Sequence, residues 1–267
     1  NCDPVLAITS TDVTVAGACP QEYTINRTWR ATDDCGNSST CLQVIFVDDS
    51  TPPVITFCPP NITIQCTAST APGGSNGTAT ATDNCDLVVA ITSTDVTVAG
   101  ACPQEYTINR TWRATDDCGN SSTCLQVIFV DDSTPPVITF CPPNITIQCT
   151  ASTAPGGSNG TATATDNCDP VVAITSTDVT VAGACPQEYT ITRTWRATDD
   201  CGNSSSCTQT IFVDDSTPPV ITFCPPNITI QCTASTAPGG SNGTATATDN
   251  CDPVVAITST DVTVAGA

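Results

Sequence analysis

The sequence predicts an all-β fold, a tandem array of small sandwich modules stapled by disulfides. Three observations carry this. First, the text repeats: Asn1-Cys2-Asp3 returns at Asn84, Asn167 and Asn250, a period of 83 residues, which is domain-sized where solenoid repeats run shorter. Second, each period consists of short runs in which β-branched and polar residues alternate between Gly, Pro, Asn and Asp turns. No stretch carries the i, i+3, i+4 apolar spacing of a helix. Third, each period holds six cysteines, nineteen in all with Cys251, and the chain has no histidine. Zinc would want histidine or paired C-x-x-C knuckles, so disulfides in an oxidising, extracellular place are the better account.

The elements are clearest in the period that starts at Ser50. Pro53 to Cys58 is extended, Pro59-Pro60 interrupts it as an edge strand that changes partner would require, and Asn61 to Cys66 resumes with period two. Thr67 to Asn76 (TASTAPGGSN) is small, polar and Gly/Pro-bearing, hence a loop. Thr78 to Thr82 alternates again and ends in the turn residues Asp83 to Asp86. Val88–Thr92 and Val96–Val98 read as two short strands split by Ser93, Thr94 and Asp95. Tyr106 to Thr115 is the longest strand, with Trp112 its core anchor, and Cys124 to Val130 follows. Arg110 falls on the face of Ile108 and Trp112, a conflict that a bulge or a cation–π contact would resolve. The third copy replaces Leu125 and Val127 by Thr208 and Thr210 but keeps Ile128 as Ile211, which marks 125 and 127 as surface positions.

These strands order the chain as 1–49, the C-terminal part of a module; 50–132 and 133–215, two complete modules; and 216–267, the N-terminal part of another. The span begins and ends inside a module, as an excerpt of a longer array would. Seven or so short strands in about 80 residues suit an immunoglobulin-like β-sandwich. A module this small has a thin core, so cross-links are expected to supply much of its stability.

Charge narrows the partners. Twenty-six acidic residues face six arginines, with no lysine, for a net charge of −20. Nucleic acid and anionic membrane surfaces are excluded as partners, since both need a basic face. No apolar run approaches a membrane span. Solubility and cation binding are favoured. Paired carboxylates could serve a glycosidase, but near-identical thin modules without histidine, lysine or a nucleophile motif point to no enzyme.

An immunoglobulin-like strand order assigns the cysteines and carboxylates, although six cysteines permit fifteen connectivities. The expected bridges are Cys58–Cys124, Cys66–Cys102 and Cys85–Cys118, with Cys2–Cys35, Cys141–Cys207, Cys149–Cys185 and Cys168–Cys201 in the other copies. The linker acids Asp48 and Asp49 should meet Asp83, Asp86, Asp116 and Asp117 at one joint, and Asp131, Asp132, Asp166, Asp169, Asp199 and Asp200 at the next. Six carboxylates suit calcium, a hard cation that takes six to eight oxygens; the alternative is a set of solvated turn residues.

TPPVITFCPPNITIQC, ATATDNCD and YTINRTWRATDDCGNSSTC together resemble the HYR (hyalin repeat) family of immunoglobulin-like modules. More narrowly, the pattern resembles the cysteine-rich form in giant surface proteins of Bacteroidetes, including SprB-type gliding adhesins. The resemblance implies an extracellular, cell-surface adhesin stalk or filament, with gliding motility as one setting and neighbouring modules of the same long chain as partners. Asp-Ser-Thr at Asp49, Asp132 and Asp215 resembles an O-glycosylation sequon of that phylum, which would place sugar on Ser50, Ser133 and Ser216. Two other functions fit the same residues: multivalent weak binding of surface glycans, and a fibre built from separate chains or from like filaments.

Overall fold

The computed structural model describes residues 7–264. The chain forms two compact units, 1–133 and 134–267.

In the first unit, β1 (Ala7–Ala16), β2 (Tyr23–Thr32) and β3 (Ser38–Val47) form an antiparallel sheet in the order β1-β2-β3. The strands β4 (Val54–Phe57), β5 (Ile62–Gln65), β6 (Thr80–Thr82), β7 (Ala90–Ala99), β8 (Tyr106–Thr115) and β9 (Ser121–Asp131) follow. β4 pairs with β6, and the main sheet has the order β5-β9-β8-β7. Pro59-Pro60 causes this division, because neither proline can donate to a ladder. The chain leaves β6 there and resumes beside β9, in parallel register from Ile62↔Ile128 to Gln65↔Asp131.

The second unit repeats the arrangement with β10 (Val137–Phe140), β11 (Ile145–Gln148), β12 (Thr163–Thr165), β13 (Ala173–Ala182), β14 (Tyr189–Thr198) and β15 (Ser204–Asp214). Its main sheet runs β11-β15-β14-β13, and β10 pairs with β12. β16 (Val220–Phe223) and β17 (Thr246–Thr248) form a further two-stranded ribbon.

One sequence expectation changes and one open choice is decided. In place of two strands at Val88–Thr92 and Val96–Val98 there is one unbroken strand, β7, which begins at Ala90, because Ser93-Thr94-Asp95 keeps its register opposite Trp112-Thr111-Arg110. The Arg110 conflict resolves without a bulge. Arg110 has a 1% exposed side chain, its Nε and Nη2 each donate to Asp95 at 2.8 Å, and Nη2 donates to the Thr70 carbonyl at 2.6 Å. Its guanidinium lies 5.7 Å from the Trp112 ring centroid. A guanidinium buried this way costs desolvation but is matched by a bidentate carboxylate and a π face.

The core is small: Ile108, Ile128 and Val130, with Ile62, Ile64, Cys66 and Tyr106 packed on them. A polar network extends it. Trp112 Nε1 donates to Gln126 Oε1, and Gln126 Nε2 donates to the carbonyls of Asn76 and Pro60. Asn76 Nδ2 in turn donates to the carbonyls of Ser69 and Ala71. The 67–76 segment is therefore a loop in the sense expected, yet one pinned to the core from two sides. Gly77 closes it at φ 73°, and a Cβ there would sit 3.1 Å from Pro59, so only glycine fits without strain.

Candidate metal site at a module junction

The acidic turns owe their shape to short Asx hydrogen bonds. Asp83 Oδ1 accepts the N–H groups of Cys85 and Asp86 at 2.8 and 3.1 Å, and Asp116 Oδ1 accepts the Asn120 N–H at 2.7 Å. Such bonds make Asp a turn former. The two turns are stitched together and to the linker: Asp117 N–H donates to Asp86 Oδ2 at 2.6 Å, and Asn120 Nδ2 donates to the Asp49 carbonyl at 2.8 Å. Asp49 Oδ1 accepts the Thr51 N–H.

Each of these aspartates spends one oxygen on backbone. The other oxygen, Asp49 Oδ2, Asp83 Oδ2, Asp86 Oδ1 or Asp116 Oδ2, is buried with no partner. Asp49, Asp86 and Asp116 are only 4–6% exposed. Ligand atoms of Asp49, Asp83 and Cys85 lie within 4.8 Å of one another. Buried anionic oxygens are normally paired or metal-bound, and these four offer the hard oxygen donors that a cation such as calcium takes. Desolvation and then the negative Asp49 and Asp83 push the Cys85 thiol up.

Of the six carboxylates expected here, the structure joins four through this network. Asp48 and Asp117 are exposed; Asp117 contributes its N–H, not its carboxylate. The sequence reading missed Asn120, the bridge to the linker, although Asp-Cys-Gly-Asn was visible as a turn. In the second unit, Asp166, Asp169 and Asp199 repeat the pattern. Asp166 Oδ1 accepts the Cys168 and Asp169 N–H groups, Asp200 N–H donates to Asp169, and Asp166 Oδ2, Asp169 Oδ1 and Asp199 Oδ2 are buried without partners. The Asp200 side chain is exposed. Asp131 and Asp132 close the first unit, half-buried and buried respectively.

The cysteines follow the sequence reading in part. The structure joins Cys58, just past β4, to Cys124 on β9, and Cys141, just past β10, to Cys207 on β15, so each bridge ties the small sheet to the main one. It does not join Cys85 to Cys118, since Cys118 bonds Cys19 in the turn before β2. The Cys85 sulfur lies within 4.8 Å of carboxylate oxygens of Asp49 and Asp83. Nor does Cys149 join Cys185, because it bonds Cys251, which follows β17. Cys185 stays in its own turn, its thiol raised first by donating to Glu188. Cys66, Cys102, Cys168 and Cys201 are also disulfide-bonded. Cys2 of the expected Cys2–Cys35 lies outside the described residues, and Cys35 is free and exposed. Ser50, Ser133 and Ser216 are exposed, and Ser133 and Ser216 accept hydrogen bonds from Gln65 and Gln148.

No helix among the described residues is long and apolar enough to cross a membrane. The disulfides place the chain in an extracellular, oxidising setting.

No family model matches the chain. Hyalin of Strongylocentrotus purpuratus is 33% identical over 240 residues, covering 83% of this chain; the chain spans 19% of hyalin. Among solved structures, the protocadherin GammaB4 extracellular domain aligns at TM-score 0.32 and 17% identity over 82% of this chain and 44% of that one. Drosophila N-cadherin EC1-4 aligns at 0.33 and 13% over 73% and 58%. Likeness at those scores carries no argument. The likeness to hyalin, over sheets and disulfides of this kind, makes the chain a string of hyalin-repeat-like modules with an immunoglobulin-type β fold.

Proposed function

We propose that the chain is a structural segment of a long extracellular filament or adhesin stalk, whose junctions between modules bind calcium and are stiffened by it. The observation that carries this is the set of four buried carboxylate oxygens without partners, drawn from a linker and two turns. A calcium ion there would take the free oxygens of Asp49, Asp83, Asp86 and Asp116, complete its shell with water, and fix the linker against the turns. Near-identical copies suit setting length. A weak site repeated along a stalk would add avidity, and the exposed hydroxyls of Ser50, Ser133 and Ser216 leave room for sugar. Hyalin lends no support to the gliding role implied by the Bacteroidetes resemblance.

The test is small-angle scattering and thermal melting of the 267-residue chain in calcium and in excess chelator. A higher melting temperature and a longer, stiffer particle in calcium support the reading. Identical curves in both would leave the junction acids as turn formers only.

A further inference from the structure

The two complete modules, 50–132 and 133–215, are the same text but for five substitutions, and four of the five fall on one face. Asn109, Thr123, Leu125 and Val127 become Thr192, Ser206, Thr208 and Thr210, while the fifth, Leu87, becomes Pro170. Side chains alternate along a strand, and Ile108, Arg110 and Trp112 on β8, with Gln126 and Ile128 on β9, are buried. The odd-numbered residues between them therefore share the outer face of the main sheet. It is on this face that two otherwise matching modules are made different.

In the module 50–132 the face is apolar around one amide. Asn109 stands mid-strand on β8, partly exposed, in a cross-strand row with Val96 on β7 and Val127 on β9. Val98, Leu125 and Phe129 lie on the adjoining rows, and Val96, Val98, Leu125 and Phe129 are 64%, 51%, 66% and 46% exposed. Asparagine is a poor strand residue, and the Asn109 side chain makes no hydrogen bond among the described residues. It opens Asn109-Arg110-Thr111, the Asn-x-Thr pattern that accepts N-linked sugar. The module's other asparagines in such a pattern are used by the fold. Asn76 is buried, with Nδ2 donating to two carbonyls; Asn120 Nδ2 holds the Asp49 carbonyl; and Asn61 Oδ1 caps the Val127 N–H. In the module 133–215, Thr192 removes the acceptor, and the flanking Leu and Val give way to Thr208 and Thr210. Acceptor and apolar neighbours disappear together.

We propose that Asn109 carries an N-linked glycan whose first sugars lie over Val96, Leu125, Val127 and Phe129, and that its counterpart Asn26, paired with Val44 and one row from Leu42, does the same. The donor is an oligosaccharide held on a polyprenyl diphosphate. Asn109 Nδ2 bonds to C1 of the first sugar, and the bond from C1 to the diphosphate oxygen breaks, its electron pair leaving with the diphosphate. One Nδ2 proton passes to a base of the transferase. A bulky hydrated group at this place covers an apolar patch that would otherwise favour association of one sheet with another. The module with threonines in these places has less apolar surface to cover.

The test secretes the 267-residue chain from a eukaryotic cell and reads the intact mass before and after peptide N-glycosidase. Asn109→Gln should remove one glycan from the intact mass, and Asn26→Gln a second. The double variant Asn26→Gln/Asn109→Gln should bind severalfold more of a neutral apolar dye than the parent. Adding Leu42→Thr, Val44→Thr, Leu125→Thr and Val127→Thr, the residues of the third copy, should abolish that gain. Should the double variant fail to fold, enzymatic removal of the glycans from the folded parent gives the same dye reading. An intact mass that loses no glycan in Asn109→Gln would overturn the site. A glycan at Asn109 whose removal leaves dye binding unchanged would overturn its place over the apolar face.

Discussion

Replacing Asp49 with asparagine should shift stability in opposite directions with and without calcium. Asp49 is 4% exposed, and its carboxylate lies within 4.8 Å of that of Asp83. Two like charges at that distance repel by roughly 3 kcal/mol at an effective dielectric of about 20. Asparagine keeps an acceptor for the Thr51 N–H and removes the charge. If a third of the repulsion is realised, about 1 kcal/mol, the melting temperature in chelator rises by about 4–8 °C for a domain of this size. Calcium at a hundred times its Kd stabilises the parent chain by about 2.7 kcal/mol, roughly 10–20 °C by the same conversion, and Asp49→Asn should lose most of that gain. Calorimetric or circular-dichroism melts of both chains, each with calcium and with chelator, read the crossing directly. A variant less stable than the parent in chelator would show that the Asp49 charge is compensated without a metal. Calcium-independent curves for both chains would refute the site.

Three further outcomes are expected. Arg110→Met removes the partner of the Thr70 carbonyl and of Asp95, which is 38% exposed, and should cost about 1–3 kcal/mol, read as a lower urea midpoint with an unchanged slope. Cys118→Ser opens a bridge of sequence separation 99, for which the loop-entropy model gives roughly 4–5 kcal/mol; thiol mapping should find Cys19 newly free, whereas a Cys85–Cys118 bridge would have released Cys85. The Arg110 and Arg193 hydrogen bonds hold the Asp95 and Asp178 carboxyls below the usual 3.8. Folded carboxyls depressed in this way add stability that is present above the unfolded value and lost as pH falls through the folded one. Urea midpoints should therefore drop below about pH 4, and less so in Arg110→Met.

What the sequence determined by itself is local or periodic. The repeat set the module, the two-residue alternation set the strands, and Pro59-Pro60 marked where β4 ends and β5 takes a new neighbour. The Thr208 and Thr210 substitutions located the outer face, where Leu125 is indeed 66% exposed. Cys58–Cys124 was legible because the end of the first strand and the start of the last fall close together in an immunoglobulin-like order, although β4 and β9 belong to different sheets.

Tertiary structure alone decided the rest. Whether Arg110 could sit on the core face depended on Asp95 and Thr70, which are 15 and 40 residues away in sequence. Whether β7 broke at Ser93-Thr94-Asp95 depended on its ladder to β8, which outweighed the turn propensity of three residues. Which way a cysteine or carboxylate in a turn faces depends on rotamers fixed by Asx bonds and by the chain packed against the turn. A sequence pattern can bring Cys85 and Cys118 to the same end of a module, but it cannot tell that Cys118 faces Cys19. The same limit applies to the acids: the sequence placed six near one junction, and only packing separated four carboxylates with a buried oxygen from two in water.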